Sequence, residues 1–314
     1  MRSFFTGSML GLATGEAFAL MTKDMDVDSI RARYAHRVRL SPNVLEPLYF
    51  CAMGGSPKEA LFIADALLWA DAYAMAPDLP IKRSLIRFFH MATGLVPSEG
   101  DQIWVRRQSH ERAGSIMDLD FRDSYDGAET TLEVLSSGFF GSVDRPINDA
   151  DDPDAVVRAL PIGLFYAGNA ERACRVARYA AALTHGDADT VDAAGAAAAY
   201  LSDLILTRST KKAGETADRE LENVRSALSR ASTSEGAQAY FRARTLIEEE
   251  HRFDEAAKKA LYITDGATMA IYGAFFGALF GEEHLPREKR LVEKAPAFRA
   301  YGERLAEAYE RKRR

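Results

Sequence analysis

Cysteine is scarce: the 314 residues hold two, Cys51 and Cys174, too few for a disulfide framework. Both sit among apolar residues in segments of helical pattern, which predicts reduced thiols buried in a core. Long hydrophobic runs are missing too, since nothing approaches the roughly 18 consecutive apolar residues that a membrane span needs. The apolar start after Arg2, with Ala17-Phe18-Ala19 mimicking a signal-peptidase site, is broken by Gly7, Gly11, Gly15 and Glu16. The expectation is a cytoplasmic chain with no membrane partner. Positive charge is not in excess: the net charge of -6 gives an average field that repels polyanions, so nucleic acid is not an expected partner. Strand signals are few, with no clean alternation over about six residues and no Asn-Gly hairpin, and no fixed-period repeat points to a solenoid. Gly-x-Ser-x-Gly, P-loop and dinucleotide fingerprints are absent. The six histidines, His36, His90, His110, His185, His251 and His284, show no close-paired ligand spacing and read as solvated or structural.

What is present is helix. Hydrophobic residues make up 47% and charged residues 27%, enough apolar side chains for one large core, so a single domain over 1–314 is expected. Apolar residues recur at helical spacing from Phe4 to Met21, and Gly7, Gly11 and Gly15, four apart, form a stripe against which another helix can pack closely. Residues Val27 to Ala35 read as a short amphipathic helix. Pro57 opens a helix through Trp69 with Ser56 as its N-cap candidate. The pattern from Pro80 to Gly141 is helical but weaker, and Asp144 to Asp154, with Pro146, Pro153 and five aspartates, reads as a solvated surface loop. Helices are predicted at Ala155 to Tyr166, Ala170 to Thr184 and Ala188 to Leu206; a polar linker at Thr207 to Asp218; then helices at Arg219 to Arg230, Glu235 to Glu248, Asp254 to Tyr262 and Thr268 to Phe280. The basic end, Arg311 to Arg314, suits a helix C-terminus. The expected fold is an all-α, compact multi-helix orthogonal bundle.

Three stretches resemble the ADP-ribosylglycohydrolase (DraG-like) family. Gly7-Ser8-Met9-Leu10-Gly11-Leu12-Ala13-Thr14-Gly15-Glu16-Ala17 is similar to its opening G-x-x-x-G-x-x-x-G-D-A helix, with Glu16 for Asp. Val157-Arg158-Ala159-Leu160-Pro161-Ile162-Gly163-Leu164 is similar to M-R-A-x-P-L-G-L and is followed, in register, by Thr184-His185. Met269 to Gly281 resembles the Ala/Gly-rich helix after the family's C-terminal metal loop. The resemblance implies the family's all-α fold and a cleft for an ADP-ribose-like or nucleotide-like ligand.

It also implies Mg²⁺ as the family's cofactor, two ions held by Thr-Asp-Asp-Thr near the N-terminus and Asp-x-Asp-Thr near the C-terminus. Such ions need several carboxylate oxygens to orient ribose hydroxyls and activate water. The first motif reads Ser41-Pro42-Asn43-Val44 here, and the second Asp265-Gly266-Ala267-Thr268, so most of the acids are gone. The catalytic candidates that remain are Asp24 (beside Lys23), Glu46 and Asp265, and the ligand-binding candidates are Asn43, Arg158 and Thr268. A dinuclear Mg²⁺ centre is not expected, and neither is any other cofactor. Gly186-Asp187-Ala188-Asp189-Thr190 spells the missing motif almost letter for letter, but its place after Thr184-His185 favours a helix cap over a relocated metal site. Three functions stay open: a relative that binds a nucleotide-like ligand without hydrolysing it, a hydrolase with an altered or metal-independent site, and a structural or protein-binding domain.

Overall fold

The computed structural model describes residues 1–20, 54–112, 114–122, 127–260, 266–286, 292 and 294–313. The candidates Asp24, Asn43, Glu46 and Asp265 lie outside the described residues, as do Lys23, Cys51 and the helix expected at Val27 to Ala35. Among the described residues 70% are helical and no strand occurs.

The first helix, α1 (Arg2–Leu20), is buried almost without interruption from Phe5 to Ala19. A helix that is apolar all round belongs inside, and α1 lies against two helices from the far end of the chain, α12 (Gly266–Phe280) and α13 (Ala295–Lys312). The glycine stripe sets the closeness of that packing. A Cβ on Gly11 would lie 2.0 Å from the carbonyl oxygen of Gly273, and one on Gly15 would lie 1.9 Å from that of Met269. Gly273 and Gly277 of α12 return the contact, since a Cβ on either would meet the backbone of Gly11 or Gly7. The two backbones touch along a glycine seam that no larger residue can enter.

A second group is centred on α8 (Ala188–Thr207), also buried along most of its length. On it pack α6 (Asp154–Phe165), α7 (Ala170–Ala182), α9 (Thr210–Asn223) and α10 (Glu235–Glu249). α6 joins the two groups through α2 (Gly55–Ala72), which carries α3 (Asp78–Thr93) on its outer side. The short α4 (Gln102–Val105), α5 (Glu129–Ser137) and α11 (Phe253–Ala260) complete the set. Their buried apolar side chains form one continuous cluster, the multi-helix bundle expected of the sequence.

Three expectations fail. The segment Thr207 to Asp218 is no linker: Ser209 caps α9 by accepting the Lys212 N–H, and Ala213, Gly214, Thr216, Ala217 and Leu221 bury one face. That stripe is built largely from small residues, so its hydrophobic signal is faint beside the charges on the other face. The helix expected to continue to Arg230 stops at Asn223. Ser56 is no N-cap either; Gly54 holds that position, and Ser56 lies inside the first turn of α2.

Candidate active site

Five helices begin at one place. The N-terminal residues of α2, α5, α6, α10 and α12 line a cleft of about 570 Å³, together with Glu16 and Ala19 from the end of α1. The positive ends of helix dipoles therefore converge there, beside the carboxyls of Glu16, Glu129, Asp152, Asp154 and Glu235 on the same lining. Glu16 is buried at this rim and accepts a hydrogen bond from the Gly54 N–H at 2.9 Å.

The chemistry sits on the short path into α6. Asp152, just before that helix, and Asp154, its first residue, both face the cleft, and a histidine stands behind them. Ligand atoms of Asp152, Asp154 and His185 all lie within 4.8 Å of one another. Asp152 accepts from His185 Nε2 at 2.8 Å and from the Thr130 hydroxyl at 2.6 Å, and it is hydrogen-bonded to Asp154. Burial works against the charge on Asp152, but these donors, His185 first among them, hold its carboxyl well below the usual carboxylate range. Asp154 is driven the other way. Burial pushes its carboxyl well above that range, and the charges of Asp152 and Glu59 add to the push. Ser56 stands 2.8 Å from its Oδ1 and 2.9 Å from the Gly127 carbonyl oxygen. Two adjacent carboxyls are thus pushed in opposite directions by their surroundings, Asp152 toward its ionised form and Asp154 toward its protonated one.

A buried chain fixes the histidine. Arg158, one turn into α6, is fully buried and donates to Thr184 Oγ1 at 2.5 Å, to the Ala180 carbonyl at 2.9 Å, to Thr131 Oγ1 at 2.6 Å and to Glu59 Oε2 at 2.7 Å. Thr184 Oγ1, holding the guanidinium, has its own proton for His185 Nδ1 at 2.9 Å. That leaves Nε2–H to donate to Asp152, which assigns the neutral tautomer. Burial pushes the imidazole below its ordinary pKa, in agreement. Glu59 is the counter-charge to Arg158, yet only Oε2 is bonded and Oε1 has no partner among the described residues. Burial accordingly pushes Glu59 up to about 7, against the pull of Arg158.

The sequence candidates fall as follows. Arg158 lies behind the wall of the cleft, not on it, and reaches the opening only through Thr184 and His185. Thr268 is buried in the first turn of α12 beside Ala267, whose methyl lines the cleft. Asp187 is a cap, accepting the Thr190 N–H at 2.7 Å, and Asp189 bonds Ser232. Asp152, Asp154 and His185 were not among the candidates. Two acids in an Asp- and Pro-rich stretch look like a solvated loop, and His185 looked structural. The available signal was the in-register Thr184-His185 pair. His110 is a structural histidine, bonded to Asp65 at 3.1 Å in a buried network with Arg87, Glu111 and Tyr301.

Among the described residues two groups of donors come close enough to share an ion, Asp152–Asp154–His185 at the cleft and Asp65–His110–Glu111 away from it. Mg²⁺ takes oxygen ligands, and a pair needs several charged carboxylates. Beside the first group, the cleft lining also carries Glu16, Glu129 and Glu235, with a methyl at Ala267. Two carboxyls and a nitrogen suit a borderline ion such as Mn²⁺ or Zn²⁺.

An all-helical bundle with a polar cleft at converging helix N-termini is the class defined by this architecture. The sequence model of the ADP-ribosylglycohydrolase family matches residues 1–314, and the chain belongs to that family. Among solved structures, one described as an ADP-ribosylglycohydrolase-related protein complex is similar in fold, with a TM-score of 0.64 and 17% identity over 98% of each chain. No curated protein matches the chain. No helix among the described residues is long and apolar enough to cross a membrane.

Proposed function

We propose that the protein binds an ADP-ribose-like or nucleotide-like ligand in this cleft and hydrolyses its glycosidic bond without a Mg²⁺ pair. The observation that carries the reading is the hydrogen-bonded Asp152–Asp154 pair at the wall of the cleft, its two carboxyls shifted in opposite directions by their surroundings. Helix N-termini on five sides supply the field for a phosphate-bearing ligand. As the bond from the anomeric carbon to the leaving nitrogen or oxygen breaks, Asp154 delivers its proton to the leaving atom while the adjacent Asp152 offsets the positive charge left on the sugar; water then adds to that carbon from the same side and returns a proton to Asp154. His185 and Thr130 orient Asp152, and Arg158 acts as a positioning residue by fixing the tautomer of His185 through Thr184.

A second reading, binding without hydrolysis, draws on Ala267, a methyl on the cleft wall where the resemblance puts an acid. One experiment separates the two. ADP-ribosylated arginine and serine peptides are incubated with the protein in EDTA, in Mg²⁺ and in Mn²⁺, with release of ADP-ribose followed by mass spectrometry. Release in EDTA that is lost in Asp154→Asn supports hydrolysis by the carboxyl pair. Calorimetric binding of ADP-ribose with no release supports the second reading. Release only with Mg²⁺, with tight binding of the ion, would overturn the metal-independent mechanism.

A further inference from the structure

α2 and α6 both start at the cleft, and both end at a second opening. Their C-terminal ends, with the start of α7 and the last turn of α13, enclose a groove of about 630 Å³. At 18 residues of 1.5 Å rise, α2 separates the two sites by about 27 Å.

The charge in this groove is the reverse of the chain's. The protein carries a net charge of -6, yet the groove is lined by three cations, Arg172, Lys312 and Arg313, and by one carboxylate, Asp71. Asp71 is engaged by Arg311 at 2.6 Å and by Lys312 at 3.6 Å. Besides that ion pair the cations lie against aromatic side chains: Lys312 Nζ is 3.1 Å from the centre of Phe165, Arg172 is 5.1 Å from that of Tyr166, and Arg313 donates to the Tyr309 hydroxyl at 3.1 Å. Like charges crowded over rings are left with capacity for an anion. The Lys312 ammonium shows the strain. Burial pushes it down to about 8, with Arg172 and Arg311 adding to the push against the pull of Asp71.

We propose that this groove is a second ligand site, for a small aromatic phosphate ester. A surplus of two positive charges among the lining side chains matches a phosphate dianion better than a carboxylate. The volume exceeds what an inorganic ion needs and falls in the range of small-molecule sites. Met75, Tyr166 and Tyr309 offer the apolar wall for a ring.

The test is calorimetry on the full chain at low salt, with phenyl phosphate, inorganic phosphate, benzoate and phenol as probes. We expect phenyl phosphate to bind at least about ten-fold more tightly than each of the others, a step that corresponds to a modest set of direct contacts. Lys312→Met and Arg172→Met should each weaken it by about ten-fold or more, and Asp152→Asn in the cleft should leave it unchanged. A variant-free check is labelling of the Lys312 amine by trinitrobenzenesulfonate in the native protein, which phenyl phosphate should slow. Equal affinity for phenyl and inorganic phosphate, loss of binding in Asp152→Asn but not in the groove variants, or unprotected labelling would each overturn the assignment.

Discussion

Gly11→Ala is the smallest change that tests the centre of the bundle. In an isolated helix it would stabilise, since alanine is about 1 kcal/mol better than glycine in a helix interior. Here the new Cβ would lie 2.0 Å from the Gly273 carbonyl oxygen and 2.7 Å from its carbon, both backbone atoms that no rotamer change can move away. To restore ordinary contact, α1 and α12 must part by more than about 1 Å, which weakens dispersion along the whole seam from Gly7 to Gly15. Overpacking typically costs about 1–3 kcal/mol, and a backbone clash belongs at the upper end. After the propensity gain, a net loss of about 2 kcal/mol remains, or about 4 °C in melting temperature for a chain of this size. Because Glu16 and Ala267 stand at the cleft on these same two helices, ligand affinity should fall as well. The assay is urea and thermal denaturation beside Gly100→Ala, whose nearest neighbour is Ser98 Oγ at 3.9 Å and which should be neutral. A Gly11→Ala protein as stable as the wild type, or more so, would refute the seam.

Asp154→Asn and Asp152→Asn should each lower hydrolysis by about 10²–10⁴-fold, the usual scale for a lost general acid or stabilising charge, with melting temperature as the folding control. Because Asp154 acts as the acid and its pKa is raised, the rate should fall as pH rises through that value; a rate that climbs steadily from about pH 5 to about pH 8 would assign the proton wrongly. Glu59, raised from 4.5 in the unfolded chain to about 7 in the folded one, contributes stability that is complete below 4.5 and is lost as pH rises through about 7. Removing its partner by Arg158→Met should therefore cost about 3–5 kcal/mol at pH near 8, less near pH 5 where the stranded carboxyl is protonated, and Glu59→Gln should partly rescue it; urea titrations at both pH values check this. Cys174, its thiol pushed up to about 12 by burial, should resist iodoacetamide in the native protein at about pH 8 and react once urea unfolds it, as read by peptide mass mapping.

The local sequence carried the helices and the seam. Four-residue spacing of Gly7, Gly11 and Gly15 puts three small residues on one face whatever the partner, so close packing was legible although the choice of α12, itself predicted as a helix, as the partner was not. Asp187 was legible as a cap because capping is satisfied within its own turn. α9 was not, because alanine, glycine and threonine make a buried face that looks polar until α8 is laid against it. The candidate site shows the same division more sharply. Arg158 and Thr184-His185 could be picked out by motif, but their direction could not: the same guanidinium reads as a ligand contact in the sequence and as a buried anchor in the fold. Asp152 and Asp154 are two residues apart and chemically alike, and nothing local separates their roles. That separation comes from Thr130 and His185, which solvate one carboxyl, and from burial and the charge of Glu59, which push the other up. Those partners come from three places far apart in the chain, and a pKa depends on charge and solvent within a few ångströms in space, not on sequence position.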